Sequence, residues 1–264
     1  MFIKKGSKFI NAIPLWKKGL QAASPINAGA GSGGGGNPLP SVSGLILHLD
    51  AAIDATVSQW DDQSVELNHA VQLSASEQPI ITANNANLNN LPSVDFDSND
   101  FMDIADDASL TVTNGFTWYG VCSVTSFIST FSFIFGHTNG TSWTAGWGLF
   151  RSSGNLRFFV NNWLSASQYA LVPMSTLNGK SIIKCRYDKT NIELTVIGTD
   201  AGSDTQAYTA NVTNVTDPAQ IAYGGSGSYD INADYGEILY YDNPISAGDQ
   251  TAIENYLKTK FNIA

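Results

Sequence analysis

From Gly44 to the C-terminus, short apolar and aromatic runs alternate with turn-forming residues at the spacing of about 8 to 12 residues expected of a sandwich or barrel. The predicted strands are LILHLDA, HAVQL, SVDFD, FTWYGVCSV, FSFIFGH, GWGLFRS, NLRFFVNN, KSIIKCRYD, NIELTVIG, QAYTANV, QIAYGG and YGEILYYD. In NIELTVIG, Ile192, Leu194 and Val196 fall on one face and Glu193 and Thr195 on the other, the period of two of a half-buried strand. Ser153-Gly154 and the segment from Asp188 to Asn191 separate pairs of such runs and predict hairpin turns. One helix is expected near the end. Ser246 followed by Asp249 resembles a capping box, and Ile253, Tyr256, Leu257 and Phe261 recur at helical spacing, giving a lid on the sandwich edge. The pattern is all-β: a two-sheet antiparallel sandwich with a short C-terminal helix.

Ahead of the sandwich the pattern breaks down. Residues 28–40 read AGAGSGGGGNPLP, a linker without core-forming side chains, and so divide an arm at 1–27 from a domain at 41–264. The glycines are not a phosphate-binding loop, because Asn37, Pro38 and Pro40 follow them where that motif needs Gly-Lys and a helix. The arm holds Phe2, Phe9, Ile13 and Trp16 among other large apolar residues, too many for an ordinary disordered tail. Interrupted by Pro14, it is too short to build its own core, which implies docking onto another protein. A membrane-surface helix is the competing idea, and Pro14 with the irregular spacing argues against it. Lysines mixed among the apolar residues do not read as a signal peptide.

Composition agrees with many short strands: 11% of residues are aromatic, only 14% are charged, and there are 24 glycines. Charge changes the picture more. Lys4, Lys5, Lys8, Lys17 and Lys18 meet no acid before Asp50, so the first forty residues carry +5 and, with a total of −10, the rest carries −15. An acidic body repels phosphate backbones, which argues against nucleic acid as a partner. No stretch approaches the roughly 20 apolar residues that span a bilayer. Cys122 and Cys185 sit in apolar runs, where a free thiol acts as a small hydrophobe, with pairing across the sandwich as the alternative.

Four segments in order, LILHLDAA, QWDDQSVELNHAVQ, LPSVDFDSNDFMDI and YGEILYYDNPISAGDQTAIENYLKTKFNI, resemble the laminin-G-like, concanavalin A-like jelly-roll domains found in phage virion proteins and bacterial surface proteins. The last segment carries the resemblance best, through Gly236, Glu237, Tyr241, Asp242, Ser246, Tyr256, Leu257, Lys260 and Phe261. It covers about residues 43 to 263, with 125 to 235 matching in pattern only. The resemblance implies roles in adhesion, carbohydrate contact or particle decoration, and fixes no ligand.

Glycoside hydrolysis needs two flanking carboxylates, and the Glu-x-Asp-x-x-Glu string of related hydrolases is missing; Glu193 and Glu237 each stand alone on a strand. His48, His69 and His137 are scattered with no Gly-x-Ser-x-Gly elbow, so no catalytic set is expected, and His69 is expected to hydrogen-bond within its own loop. Calcium is the ion whose oxygen ligands the sequence offers, Asp61, Asp62 and Asn68 in one loop and Asp95, Asp97, Asp100 and Asp103 in another, though turn chemistry explains both clusters almost as well. For sugar binding, aromatic faces beside amide and guanidinium groups are needed. Trp143, Trp147, Arg151, Arg157, Asn161 and Trp163 crowd the middle hairpins, where core packing or a subunit contact can use the same tryptophans.

These readings converge on a non-enzymatic virion protein, such as a phage capsid decoration, head-fibre or tail-associated protein. Its partners are other virion proteins, reached through the arm, and host-surface glycans, with the chain present in multiple copies. The alternative is a carbohydrate-binding adhesin module of a bacterial surface.

Overall fold

A computed structural model describes residues 38–127, 131–174, 179–223 and 229–264. The arm at 1–27 and most of the linker lie outside them. The chain folds into sixteen strands, three short 3-10 turns and one α-helix among these residues. In chain order they are β1 Leu45–Asp50, β2 Gln59–Trp60, β3 Ala70–Val71, β4 Ile80–Asn85, β5 Leu91–Phe96, β6 Met102–Ile104, β7 Phe116–Phe127 and β8 Phe131–Thr138. There follow β9 Gly146–Ser152, β10 Asn155–Val160, β11 Tyr169–Pro173, β12 Lys180–Tyr187, β13 Asn191–Gly198, β14 Gly202–Ala207, β15 Ala219–Ile221, β16 Ile231–Tyr241 and α1 Ala247–Phe261.

Two antiparallel sheets result. Sheet 1 runs β14-β13-β12-β7-β16-β5-β4, with β1 also on β16; sheet 2 runs β11-β10-β9-β8-β15-β6-β3-β2. The long strand β16 is shared along one side, pairing with β5 through Ala233 to Tyr235 and with β1 through Glu237 to Tyr241. Side chains alternating inward from both sheets, among them Trp118, Phe135, Trp147, Phe158 and Tyr240, form the main core.

Two further apolar layers lie outside the sheets. On sheet 1, Tyr119, Val121, Leu239 and Tyr241 point away from the main core and meet Ile253, Tyr256, Leu257 and Phe261 of α1. The strands β7 and β16 therefore read as nearly continuous apolar runs, since both their faces are covered. Gly236 gives the helix its seat: a Cβ there would lie 2.4 Å from the Phe261 ring. The Ser246 Oγ accepts the Asp249 N–H and donates to the Asp249 carboxylate, fixing the start of α1. Asn262 ends it in the left-handed region at φ 51°.

Both predicted hairpin turns form, with Ser153 and Gly154 at φ 51° and 79° and Lys189 at φ 67°. The other differences lie mainly in short strands. QAYTANV is not a strand: β14 ends at Ala207, and Tyr208 instead donates its N–H to Thr190. HAVQL keeps only two ladder residues, and β2, β4, β6 and β11 had no clear signature. In β4 Ile80, Ala83 and Asn84 are exposed and only Asn85 is buried, leaving no alternation to read. Leu39, assigned to the linker, packs against the helix layer. Cys122 and Cys185 are free, buried and in the same sheet, so pairing across the sandwich does not occur.

Candidate functional site

The second extra layer lies outside sheet 2. Directly opposed residues of antiparallel strands share a face. The register places Gln59, Val71, Asp103, Gln220, Gly136, Gly148, Phe159 and Tyr169, one per strand from β2 to β11, in a single row. The row is polar at one end and aromatic at the other. In its middle, Cβ atoms at Gly136 and Gly148 would lie 2.8 and 2.7 Å from the rings of Phe133 and Phe159. The two glycines let those rings lie flat on the sheet.

Over this floor stands an aromatic cluster of Phe133, Trp143, Phe150 and Phe159, rimmed by half-buried Phe131, Trp163, Tyr169 and Tyr229. Trp143 is its hub, with ring centroids 5.3 Å from Phe133, 5.2 Å from Phe150, 5.8 Å from Trp163 and 4.9 Å from Tyr229. Its backbone is left-handed at φ 48°, a conformation a bulky residue adopts only when its surroundings impose it. Phe131, Thr141, Trp143, Trp163 and Tyr229 enclose a small apolar cleft of about 30 Å³. Beside it the Arg157 guanidinium lies 4.9 Å from the Tyr169 ring centre, a cation–π contact.

The residues predicted for sugar contact separate here. Trp163 and Arg157 belong to the rim, whereas Trp143 is 2% exposed and supports it from beneath. Trp147 corrects the expectation: it faces the main core at 1% exposure, between Phe116 and Tyr240, because inward and outward positions alternate along β9. Asn161 is a structural latch. Its amide donates to Tyr208 Oη and Asn211 O and accepts from Thr213 N, so its polar groups are engaged internally. Arg151 is half-buried on β9, in the inward register of Trp147 and Leu149. Phe131, Tyr169 and Tyr229 were not anticipated. Their signal was present in β8 to β10, which carry aromatic residues on both faces and so require a second cover.

At the polar end, His69, Val71, Leu73, Asp103 and Pro218 line an open groove of about 420 Å³. His69 Nδ1 accepts the Asp62 N–H within its own loop, so the neutral ring carries its proton on Nε2. Asp103 accepts from Gln220 Nε2 at 2.9 Å, and burial raises its carboxyl above the ordinary aspartate range.

The buried carboxylates Asp62, Asp50 and Glu237 have protein partners. Asp62, proposed with Asp61 and Asn68 for calcium, accepts the N–H groups of His48, Ser64 and Asn68 and the Ser64 hydroxyl. This is the turn chemistry of its loop, and the Asn68 amide points inward to Ile46 O and Ser109 Oγ. Asp61 accepts from Gln59 Nε2. His48, Asp50 and Glu237 converge closely enough for a metal, yet Lys260 supplies the cation, 2.6 Å from Asp50 Oδ2 and 2.9 Å from Glu237 Oε2. His48 Nε2 lies 2.9 Å from Glu237 Oε1, and the Tyr256 hydroxyl bridges both Glu237 oxygens at 3.1 and 3.2 Å. Burial alone would raise Glu237; the His48 hydrogen bond and the Lys260 charge outweigh it and hold the carboxyl below its usual range. Glu193 pairs with Arg186 at 2.6 Å.

No protein-family profile matches the chain, and no curated protein sequence does. Solved structures match it in fold. A Trypanosoma rangeli sialidase in complex with sialic acid is 14% identical over 84% of this chain and 34% of the sialidase, with a TM-score of 0.58. The binding domain of Paraclostridial mosquitocidal protein 1 is 11% identical over 81% of this chain and 52% of that one, with a TM-score of 0.57. The binding domain of botulinum neurotoxin serotype G is 9% identical over 80% and 50%, with a TM-score of 0.56. The chain thus spans between a third and about half of the structures it matches, and the likeness is one of fold.

Proposed function

We propose that the sandwich is a non-enzymatic glycan-binding module whose ligand lies on the aromatic end of the outer face of sheet 2. The observation that carries this reading is an aromatic layer built outside a core that is already complete, open at Phe131, Trp163 and Tyr229 and flanked by the Arg157–Tyr169 pair. A sugar ring offers C–H faces for stacking and hydroxyls for the guanidinium, which is what such a rim can engage. The two toxin binding domains of similar fold are consistent with a binding role. The non-enzymatic part is supported by Asp50 and Glu237, carboxylates that converge among the described residues but are buried and share the Lys260 ammonium.

The test is a glycan array probed with wild type and with Trp163→Ala. Binding that disappears with Trp163 while the fold persists supports the reading; a wild-type chain that binds no glycan refutes it. A second reading, a virion protein anchored by the arm, is favoured by the split of +5 against −15 along the chain. Deleting residues 1–40 then abolishes incorporation into particles and leaves glycan binding intact.

A further inference from the structure

The register of β1 on β16 sets Asp50 directly opposite Glu237, so two acids share the outer face of sheet 1 beneath α1. Like charges placed this way repel, and the lysine between them is Lys260, from the last turn of the helix. Its Nζ lies 2.6 Å from Asp50 Oδ2 and 2.9 Å from Glu237 Oε2. The side chains of Lys260, Asp50 and Glu237 are 15%, 7% and 0% exposed, and the Tyr256 and Phe261 ring centres lie 5.7 and 5.4 Å from Nζ. An amine and a carboxyl are thus held in contact where little water enters, with a second carboxylate against the amine.

The other oxygens of both acids are held in place. Asp50 Oδ1 accepts the Ala52 N–H at 3.0 Å, which leaves Oδ2 to the lysine. Glu237 Oε1 lies 2.9 Å from His48 Nε2, and the Tyr256 hydroxyl bridges both Glu237 oxygens, so Oε2 stays aimed at Nζ. A salt bridge needs one carboxylate. Amide formation needs two, one to be attacked and one to carry a proton from the amine to the departing oxygen.

We infer that this site condenses on itself, joining Lys260 Nζ to Asp50 Cγ in an amide bond that links α1 covalently to β1. The ammonium first passes a proton to Asp50 Oδ2 across their hydrogen bond, leaving a neutral amine and a neutral acid, a state that burial brings within reach because it penalises both charges. The amine lone pair attacks Cγ, and the negative charge formed on Oδ1 is met by the Ala52 N–H. Glu237 then takes a proton from the nitrogen and delivers it to Oδ2, which departs as water while the C=O re-forms at Oδ1. One ammonium and one carboxylate become one secondary amide and one water, Glu237 is unchanged, and no external reagent enters. The ion pair is the uncondensed form, and its dependence on pH belongs to that form. Glycan binding on sheet 2 plays no part in the reaction.

Intact-mass spectrometry of the purified full chain, kept folded at neutral pH and sampled over days, reads the reaction directly. Wild type is expected to be lighter by one water, on isolation or after incubation, and a protease digest to contain one branched peptide joining the segment around Asp50 to the segment around Lys260. Lys260→Arg keeps the cation without a comparable nucleophile and is expected to hold its full mass. Glu237→Gln keeps the shape without the base and is expected to slow the loss by about a hundredfold or more. Folded wild type that keeps its full mass and yields no branched peptide overturns the proposal, whether or not the variants fold. A loss of water that persists in Lys260→Arg, or that maps to another residue, is dehydration elsewhere and overturns it too.

Discussion

Lys260 Nζ lies 2.9 Å from Glu237 Oε2, and this buried pair fastens the last turn of α1 to the centre of sheet 1. Removing one partner strands the other charge. Lys260→Met is expected to cost about 3–5 kcal/mol at pH 7, measured by urea unfolding. The pH limits follow from the two shifts. Glu237 is lowered in the fold, so its contribution is present above the ordinary glutamate value and is lost as pH falls through the folded one. Burial alone would lower Lys260, but Glu237 and Asp50 raise it above 10.5, so its contribution is complete below that value and is lost as pH rises through the folded one. Lys260→Met should therefore lose the lysine's share of the alkaline limb.

Trp147 and Trp163 separate stability from binding. Trp147→Ala opens a cavity in the main core and is expected to cost about 3–5 kcal/mol. Trp163→Ala, at the half-buried rim, is expected to cost far less and to act on ligand affinity. Denaturant midpoints with circular dichroism check the first expectation, and equal midpoints for the two variants would contradict it.

Gly236→Ala places a methyl within 2.4 Å of the Phe261 ring. The helix must shift or the ring must turn, at a cost of about 1–3 kcal/mol. Hydrogen exchange is expected to rise in residues 247–261 before it rises in β12 or β13.

Asp230 makes stability fall with rising pH. The unfolded chain releases this proton near 3.8 and the folded chain near 6, so between those values the folded state holds more protons and loses stability as pH climbs. Asp230→Asn should flatten that part of the profile and be the more stable protein at pH 7. A Tm series from pH 4 to 7 decides it.

Neither cysteine should react in the native state. Burial pushes the Cys122 thiol up to about 12 and the Cys185 thiol well above its ordinary value, and both side chains are enclosed by the core. A thiol-specific reagent should label both only at the rate of global unfolding.

The fold was legible where burial imposes a period. Ile192, Leu194 and Val196, the two hairpin turns and all four helix residues from Ile253 to Phe261 emerged as read, because each is dictated by local geometry or by one apolar face. Exposed edge strands such as β4 were silent, since their ladders are set by neighbouring backbone. The rim was half legible. Its tryptophans could be counted, but whether one faces the core or the outer surface depends on strand parity. One residue of offset separates Trp147, sealed between the sheets, from Gly148, on the outer face. Phe131 and Tyr229 join the rim through pairing and crossing points that no local pattern encodes.

The position of β16 has a consequence for how the molecule is made. This strand is near the end of the sequence, yet it is central in sheet 1, with β7 on one side and β1 and β5 on the other. Leu45 must wait for Tyr241, nearly two hundred residues later, before it has a neighbour. Until β16 is made, β1 and the β4–β5 pair lack the strand they dock against in sheet 1, and the high contact order makes the closing step slow. A chain stalled before residue 231 therefore holds every strand of sheet 2 but leaves sheet 1 in separate pieces, β14-β13-β12-β7 and β5-β4, whose open edges are prone to pair with other copies.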